Sequence, residues 1–137
     1  MDENHKTVYI KGLINESDKL KKDYDYEKSY EKAKIALNES RKIDYKKGII
    51  MCQQILSHIR FYRGNYSEVL EYEQEIVNYA VEKNNKDLLA THYIALSALY
   101  IQLDEIDQAE KLIHKARAIA NELQNQVLMI KVYMNLG

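Results

Sequence analysis

The side chains able to do chemistry are few, and their spacing sets them apart from one another. Cys52 is the single cysteine, and as a nucleophile it would need a general base beside it. His58 follows six residues later, about 240° round a helix, so the two form no local nucleophile–base pair. Cys52 instead falls on the apolar stripe Ile49, Cys52, Leu56, Ile59, where a small buried hydrophobe is expected. Glu110 and His114 are four apart and share a helix face. A polar (i, i+4) contact accounts for them, since a metal would need further ligands that nothing nearby supplies. The glycines at 12, 48, 64 and 137 are isolated, so no phosphate-cradling loop is present. No two carboxylates sit in an apolar context that would raise a pKa. Catalytic, cofactor-binding and metal-ligating residues are all expected to be absent. The chain reads as a non-enzyme.

Composition says what kind of scaffold holds these residues. The 137 residues make one domain's worth of chain, and a core can form at this size without disulfides or metal. There is no proline, and 46% of the residues are hydrophobic. The scarcity of Gly and Pro argues against a sandwich or barrel, whose turns need both. A 30% charged fraction argues against a membrane protein, and the apolar content against a disordered one. Twenty basic and 21 acidic residues leave a net charge of −1. Lys-rich stretches such as Lys19-Leu20-Lys21-Lys22-Asp23 have acids within a turn, the mark of a solvated helix face rather than a nucleic-acid surface. The start, Met1-Asp2-Glu3-Asn4-His5-Lys6, lacks the apolar core of a signal peptide. With one cysteine and no internal disulfide, a cytoplasmic setting without nucleic-acid or membrane partners is expected.

What organises the chain is an internal repeat. A shift of 40 residues aligns Leu56 with Leu96 and Leu136, and gives the columns Ser17, Ser57, Ser97, Gly137; Ser40, Ala80, Ala120; and Ala36, Ile76, Ala116. Tyr26, Tyr66 and Ile106 form another column, followed three residues later by Ser29, Val69 and Ala109. Small residues at constant positions permit close helix approach, and the large apolar columns fill the space between. Each period divides into two amphipathic helices, as in Leu89, Tyr93, Leu96, Tyr100, Leu103 and then Ala109, Ile113, Ala116, Ala120. Asn and Asp, not Pro, punctuate them: Asp25, Asn65 with Glu68, Asn84-Asn85, and Asp104 with Asp107. The spacing predicts seven helices, near 5–22, 25–43, 46–63, 66–83, 87–103, 105–123 and 126–137.

These columns resemble the tetratricopeptide repeat. Period three carries Tyr93, Leu96-Ser97, Tyr100, Ile106, Ala109, Ile113 and Ala116, and period four opens with Tyr133 and Leu136-Gly137. Period two keeps Leu56-Ser57, Gly64, Tyr66, Val69 and Ile76, with Gln53 and Arg60 where aromatics are usual and Glu73 at a packing position. Period one has Leu13, Glu16-Ser17, Leu20, Tyr26, Ser29, Ala33 and Ala36. The period of 40, longer than the usual ~34, is similar to that of kinesin light chains and bacterial sensor regulators. The resemblance implies an all-α, right-handed superhelix of antiparallel helical hairpins. It would be a single array over 1–137, with repeats at about 10–49, 50–89 and 90–129 and a partial fourth at 130–137. A chain stopping inside a repeat motif reads as a fragment of a longer protein.

The resemblance also places a concave groove along the first helices of successive repeats, occupied by a protein or peptide. It assigns Gln54, His58, Phe61 and Tyr62 from period two and Thr91, Ile94, Ala98, Ile101 and Gln102 from period three, with Lys11, Ile14, Asp18, Lys21 and Lys22 from period one. The carboxylate clamp of the chaperone-binding members is absent, its columns reading Ile14, Asp18, Ile55, Thr91 and Ala95. Phe61, Tyr62, Ile94 and Ile101 are expected to be accessible, whereas Tyr26 and the other column tyrosines are expected to pack between helices. The implied function is a non-catalytic protein- or peptide-binding scaffold, the sensing or docking region of a bacterial regulator. Two rivals fit the same residues: the regulatory part of a kinase or nucleotide cyclase whose catalytic domain lies beyond residue 137, and a homo-oligomeric assembly module. Helix seven, with eight apolar residues between Val127 and Leu136, is expected to make a homodimer contact through 126–137.

Overall fold

The computed structural model describes residues 2–136, so Gly137, the last residue of the fourth-period motif, lies outside the described residues. The protein is all-α, and no strand occurs among the described residues. Among the described residues seven helices follow one another: α1 (Glu3–Lys22), α2 (Tyr26–Lys42), α3 (Lys46–Tyr62), α4 (Tyr66–Glu82), α5 (Lys86–Gln102), α6 (Ile106–Leu123) and α7 (Gln126–Leu136). Each begins within two residues of the start expected from sequence. Helix starts at Tyr26, Tyr66 and Ile106, and again at Lys46, Lys86 and Gln126, keep the 40-residue interval without a slip.

The turns repeat at half that interval. Tyr24, Asp44, Asn84, Asp104 and Gln124 have φ between 51° and 62°, and Gly64 has φ 80°. Six left-handed residues thus stand 20 apart along the chain. After each, the next backbone N–H donates to the carbonyl five residues back, from Asp25 to Leu20 at 2.8 Å through to Asn125 to Ala120 at 3.1 Å. That bond, with the left-handed residue, is the Schellman termination, which satisfies carbonyls a helix end would otherwise orphan. The residue receiving the chain then starts the next helix. Asp25, Asn85 and Asn125 accept from the N–H groups of Lys28, Leu88 and Leu128, whereas Tyr45 and Glu105 make no side-chain cap. Connections of two or three residues leave sequential helices antiparallel.

The chain divides into two compact units, Met1–Tyr72 and Glu73–Gly137. In the first, α1, α2 and α3 pack in sequence, and α3 also reaches back to α1. Its core gathers Ile10, Leu13, Ala33, Ala36, Leu37, Cys52, Leu56 and Ile59. Each large apolar side chain there contributes about 1.5–3 kcal/mol by leaving water. Small residues draw α1 and α2 together: the Ser17 and Ser29 hydroxyls each donate to the other's backbone carbonyl at 2.7 Å. In the second unit α5, α6 and α7 pack in the same order, around Ala90, Ile94, Ile113, Ala116, Ala120, Leu128 and Val132. Ser97 repeats the serine contact 80 residues on, donating to the Ala109 carbonyl at 3.1 Å.

Second helices bury one stripe in a common register: Ser29, Ala33, Ala36, Ser40 in α2; Val69, Glu73, Ile76, Ala80 in α4; Ala109, Ile113, Ala116, Ala120 in α6. Glu73 therefore stands in the column of Ala33 and Ile113. A buried carboxylate needs a partner, and His92 supplies it, Nδ1 to Oε2 at 2.6 Å. His92 in turn shares a column with Cys52 and Val132, so one polar pair replaces apolar neighbours of the other periods.

Candidate peptide-binding groove

Within the first unit, α1 and α3 flank an open groove of about 300 Å³ lined by Ile14, Asn15, Asp18, Lys21, Met51, Gln54 and Ile55. Helical spacing brings them together: 14, 18 and 21 recur on one face of α1, and 51, 54/55 and 58 on one face of α3. The floor is apolar and the rim polar. Lys21 and Lys22 both reach Asp18, at 3.5 and 3.1 Å. Partial burial pushes the Asp18 carboxyl up, but the Lys22 hydrogen bond and the two lysine charges outweigh it, so its pKa falls below the usual 3.8. Two cations on one carboxylate leave a local positive excess at this end of the groove.

An aromatic triangle stands on the same face of α3. Tyr26, at the first position of α2, meets Tyr62 edge-on at 5.5 Å and His58 at 5.9 Å between ring centroids, and His58 lies 6.1 Å from Tyr62. Separations and angles of this kind suit aromatic pairs. The Tyr26 hydroxyl is 3.5 Å from His58 Nε2, and Tyr24 extends the group at 6.2 Å from Tyr26. Tyr62 is 69% exposed. Partial burial, and then the positive charge of Lys21, hold the His58 imidazole below its ordinary 6.5, so at neutral pH the ring is uncharged and carries one donor and one acceptor. Binding an extended segment by apolar contact, aromatic stacking and amide hydrogen bonds is within this arrangement's means.

The expected site residues distribute as follows. Gln54, His58 and Tyr62 come together with Ile14, Asp18 and Lys21. Phe61 is half-buried and its ring contact is with Tyr66, at 5.6 Å across the α3–α4 turn. Ile14, also assigned to the groove, is a core residue whose edge forms the floor. Thr91, Ile94, Ala98, Ile101 and Gln102 belong to α5 in the second unit. Ile94 corrects the expectation of accessibility: it is 7% exposed and packs in the core with Ala90 and Ile113. Thr91 is half-buried and donates to the Asp87 carbonyl at 2.9 Å. Ala98 is half-buried, while Ile101 and Gln102 reach solvent at the end of α5. The repeat columns do not mark Asn15, Tyr26 or Met51 for the groove, and they give Ile55 only as a clamp position. Tyr26 does pack, partly buried against the first core, but its ring also builds the triangle.

On the opposite side of α3 from His58, Arg60 stacks on the Tyr30 ring at 4.3 Å, bonds its hydroxyl, and pairs with Glu68 at 2.9 Å. These contacts brace α2, α3 and the start of α4. Burial pushes the Cys52 thiol up to about 12, which denies it the thiolate that reactivity requires. Glu110 and His114 both point to solvent. No group of three or more His, Cys, Asp or Glu side chains able to hold a metal occurs among the described residues. No helix among them is long and apolar enough to cross a membrane.

The class of protein defined by these features is an all-α helical-repeat chain with a 40-residue period. Comparison with protein-family models, curated proteins and solved structures gives no match to this chain.

Proposed function

We propose that the chain is a non-catalytic scaffold of tetratricopeptide type that binds an extended peptide or protein segment in the α1–α3 groove. The observation that carries this reading is the Tyr26–His58–Tyr62 triangle, with His58 and Tyr62 exposed, continuing an apolar floor with a polar rim. A preformed groove of this kind gains affinity from apolar burial and fixes orientation through a few polar groups. Tyrosine anchors suit it, because a large amphipathic ring loses little conformational freedom on binding. A cytoplasmic setting as the docking region of a bacterial regulator accords with the 40-residue period and the lone buried cysteine.

Selection of a displayed random peptide library on the full chain tests the reading. A recurring sequence is expected that binds the parent and loses at least tenfold in affinity to Tyr62→Ser. Tyr62 is solvent-exposed at the end of α3, so this variant keeps the helical circular dichroism of the parent. Failure to enrich any sequence, or enrichment of sequences indifferent to Tyr62→Ser, would overturn it.

A further inference from the structure

The α7 helix presents an outer apolar face, and the columns of its Ile130 and Met134 are largely covered elsewhere in the chain. Ile130 shares a column with Ile10, Ile50 and Ala90, which are buried, yet it is 59% exposed. Met134 shares one with Ile14 and Ile94, both core residues, and with half-buried Gln54. With Val127 and Tyr133 these side chains form a stripe along α7, each 58–76% exposed. Lys131 is the one charge in the helix. Its other face is used normally, Leu128 and Val132 packing in the core of the second unit.

The other periods show the chemistry that covers such a stripe. In both units the following helix lies against it with small residues leading: Ser29 bonds Ser17 in α1, and Ala109 receives the bond from Ser97 in α5. We infer that the outer face of α7 is a docking site for an amphipathic helix with a small-residue stripe at i, i+4, i+7 and i+11, the chemistry of α2 and α6. A second copy is the weaker occupant. Four part-exposed side chains offer on the order of 500 Å², and two copies face to face would bury about 1,000 Å², short of the ~1,200 Å² where stable interfaces begin. A helix with small residues approaches more closely and covers the flanks of the stripe as well. The inference is independent of the α1–α3 groove.

The test extends the full chain, through a short Gly/Ser linker after Gly137, with a copy of its own residues 104–125. Tethering supplies a high effective concentration, so the added segment need not be helical alone. A control carries Glu at the copied position of Ala116, and a second carries Ile130→Glu in α7. Hydrogen exchange of the α7 amides and the melting temperature are read for all three, with light scattering on the parent. Docking predicts at least tenfold slower exchange over residues 128–134 and a melting point several degrees higher, both lost in either control. Equal exchange and melting in all three overturns the inference. So does a parent that is dimeric until Ile130→Glu makes it monomeric, since the face would then belong to a second copy.

Discussion

Replacing the buried Glu73–His92 pair by the apolar residues of the neighbouring period probes repeat register and energetics together. Both side chains are almost fully buried, 4% and 7% exposed, and meet at 2.6 Å. The corresponding pairs are Ala33 with Cys52 in the first core and Ile113 with Val132 in the second. Removing one member takes the 2.6 Å contact from the other while leaving it buried, which costs about 3–5 kcal/mol. Glu73→Ile and His92→Val should therefore each destabilise by about 3 kcal/mol or more. Made together, they install the α6–α7 pair. Exchange of a buried pair for well-packed apolar groups is often neutral or stabilising by ~1–4 kcal/mol. Valine is smaller than histidine, however, and some of that gain is lost to the space it leaves. The double variant should fall within about 1 kcal/mol of the parent, a coupling of roughly 5 kcal/mol. Urea unfolding followed by circular dichroism at 222 nm measures all four corners of the cycle. Additive losses in the double variant would refute the reasoning, because they would mean that columns 73 and 92 are not equivalent to 113 and 132.

Three further perturbations read local features. Gln124 is left-handed with an ordinary side chain, so Gln124→Gly should stabilise by about 0.5–1 kcal/mol in thermal or urea melts. A Cβ on Gly48 would sit 2.5 Å from the Tyr45 ring and 2.6 Å from Ser40 Oγ, so Gly48→Ala should cost about 1–2 kcal/mol in urea melts despite its better helix propensity. His58 should titrate below 6.5 by NMR and move back up in Lys21→Gln. With the folded value depressed, its contribution to stability is fully present above pH 6.5 and is lost as pH falls through that value toward the folded one, which urea melts across pH 5–7 resolve.

Much of the architecture was legible because the repeat and the caps are local signals. Asp25, Asn85 and the column spacing mark helix starts that the structure keeps to within two residues. Turn conformation was less legible: of six left-handed positions only Gly64 is glycine, and Tyr24 and Gln124 are residue types that rarely adopt it. Their conformation follows from the Schellman bonds of the helices they end. Ile94 was misplaced for a different reason. Helix α5 carries Leu88, Leu89, Tyr93, Ile94, Leu96, Leu99 and Tyr100 around its circumference, so its sequence has no polar side to mark the solvent. The Glu73–His92 pair lies 19 residues apart across a turn, and only the packing register brings the two together. Tyr26 showed the limit of column logic, since one ring can both pack between helices and face solvent.

The central claim is that the α1–α3 face takes an extended peptide ligand. Amide and side-chain NMR shifts of the full chain, titrated with a peptide selected on it, test that claim most directly. Saturable changes are expected, concentrated at Ile14, Asp18, Lys21, Gln54, His58 and Tyr62, with the buried α6 stripe from Ala109 to Ala120 unmoved. Shifts centred on α5 or α7, with the α1–α3 residues silent, would contradict it.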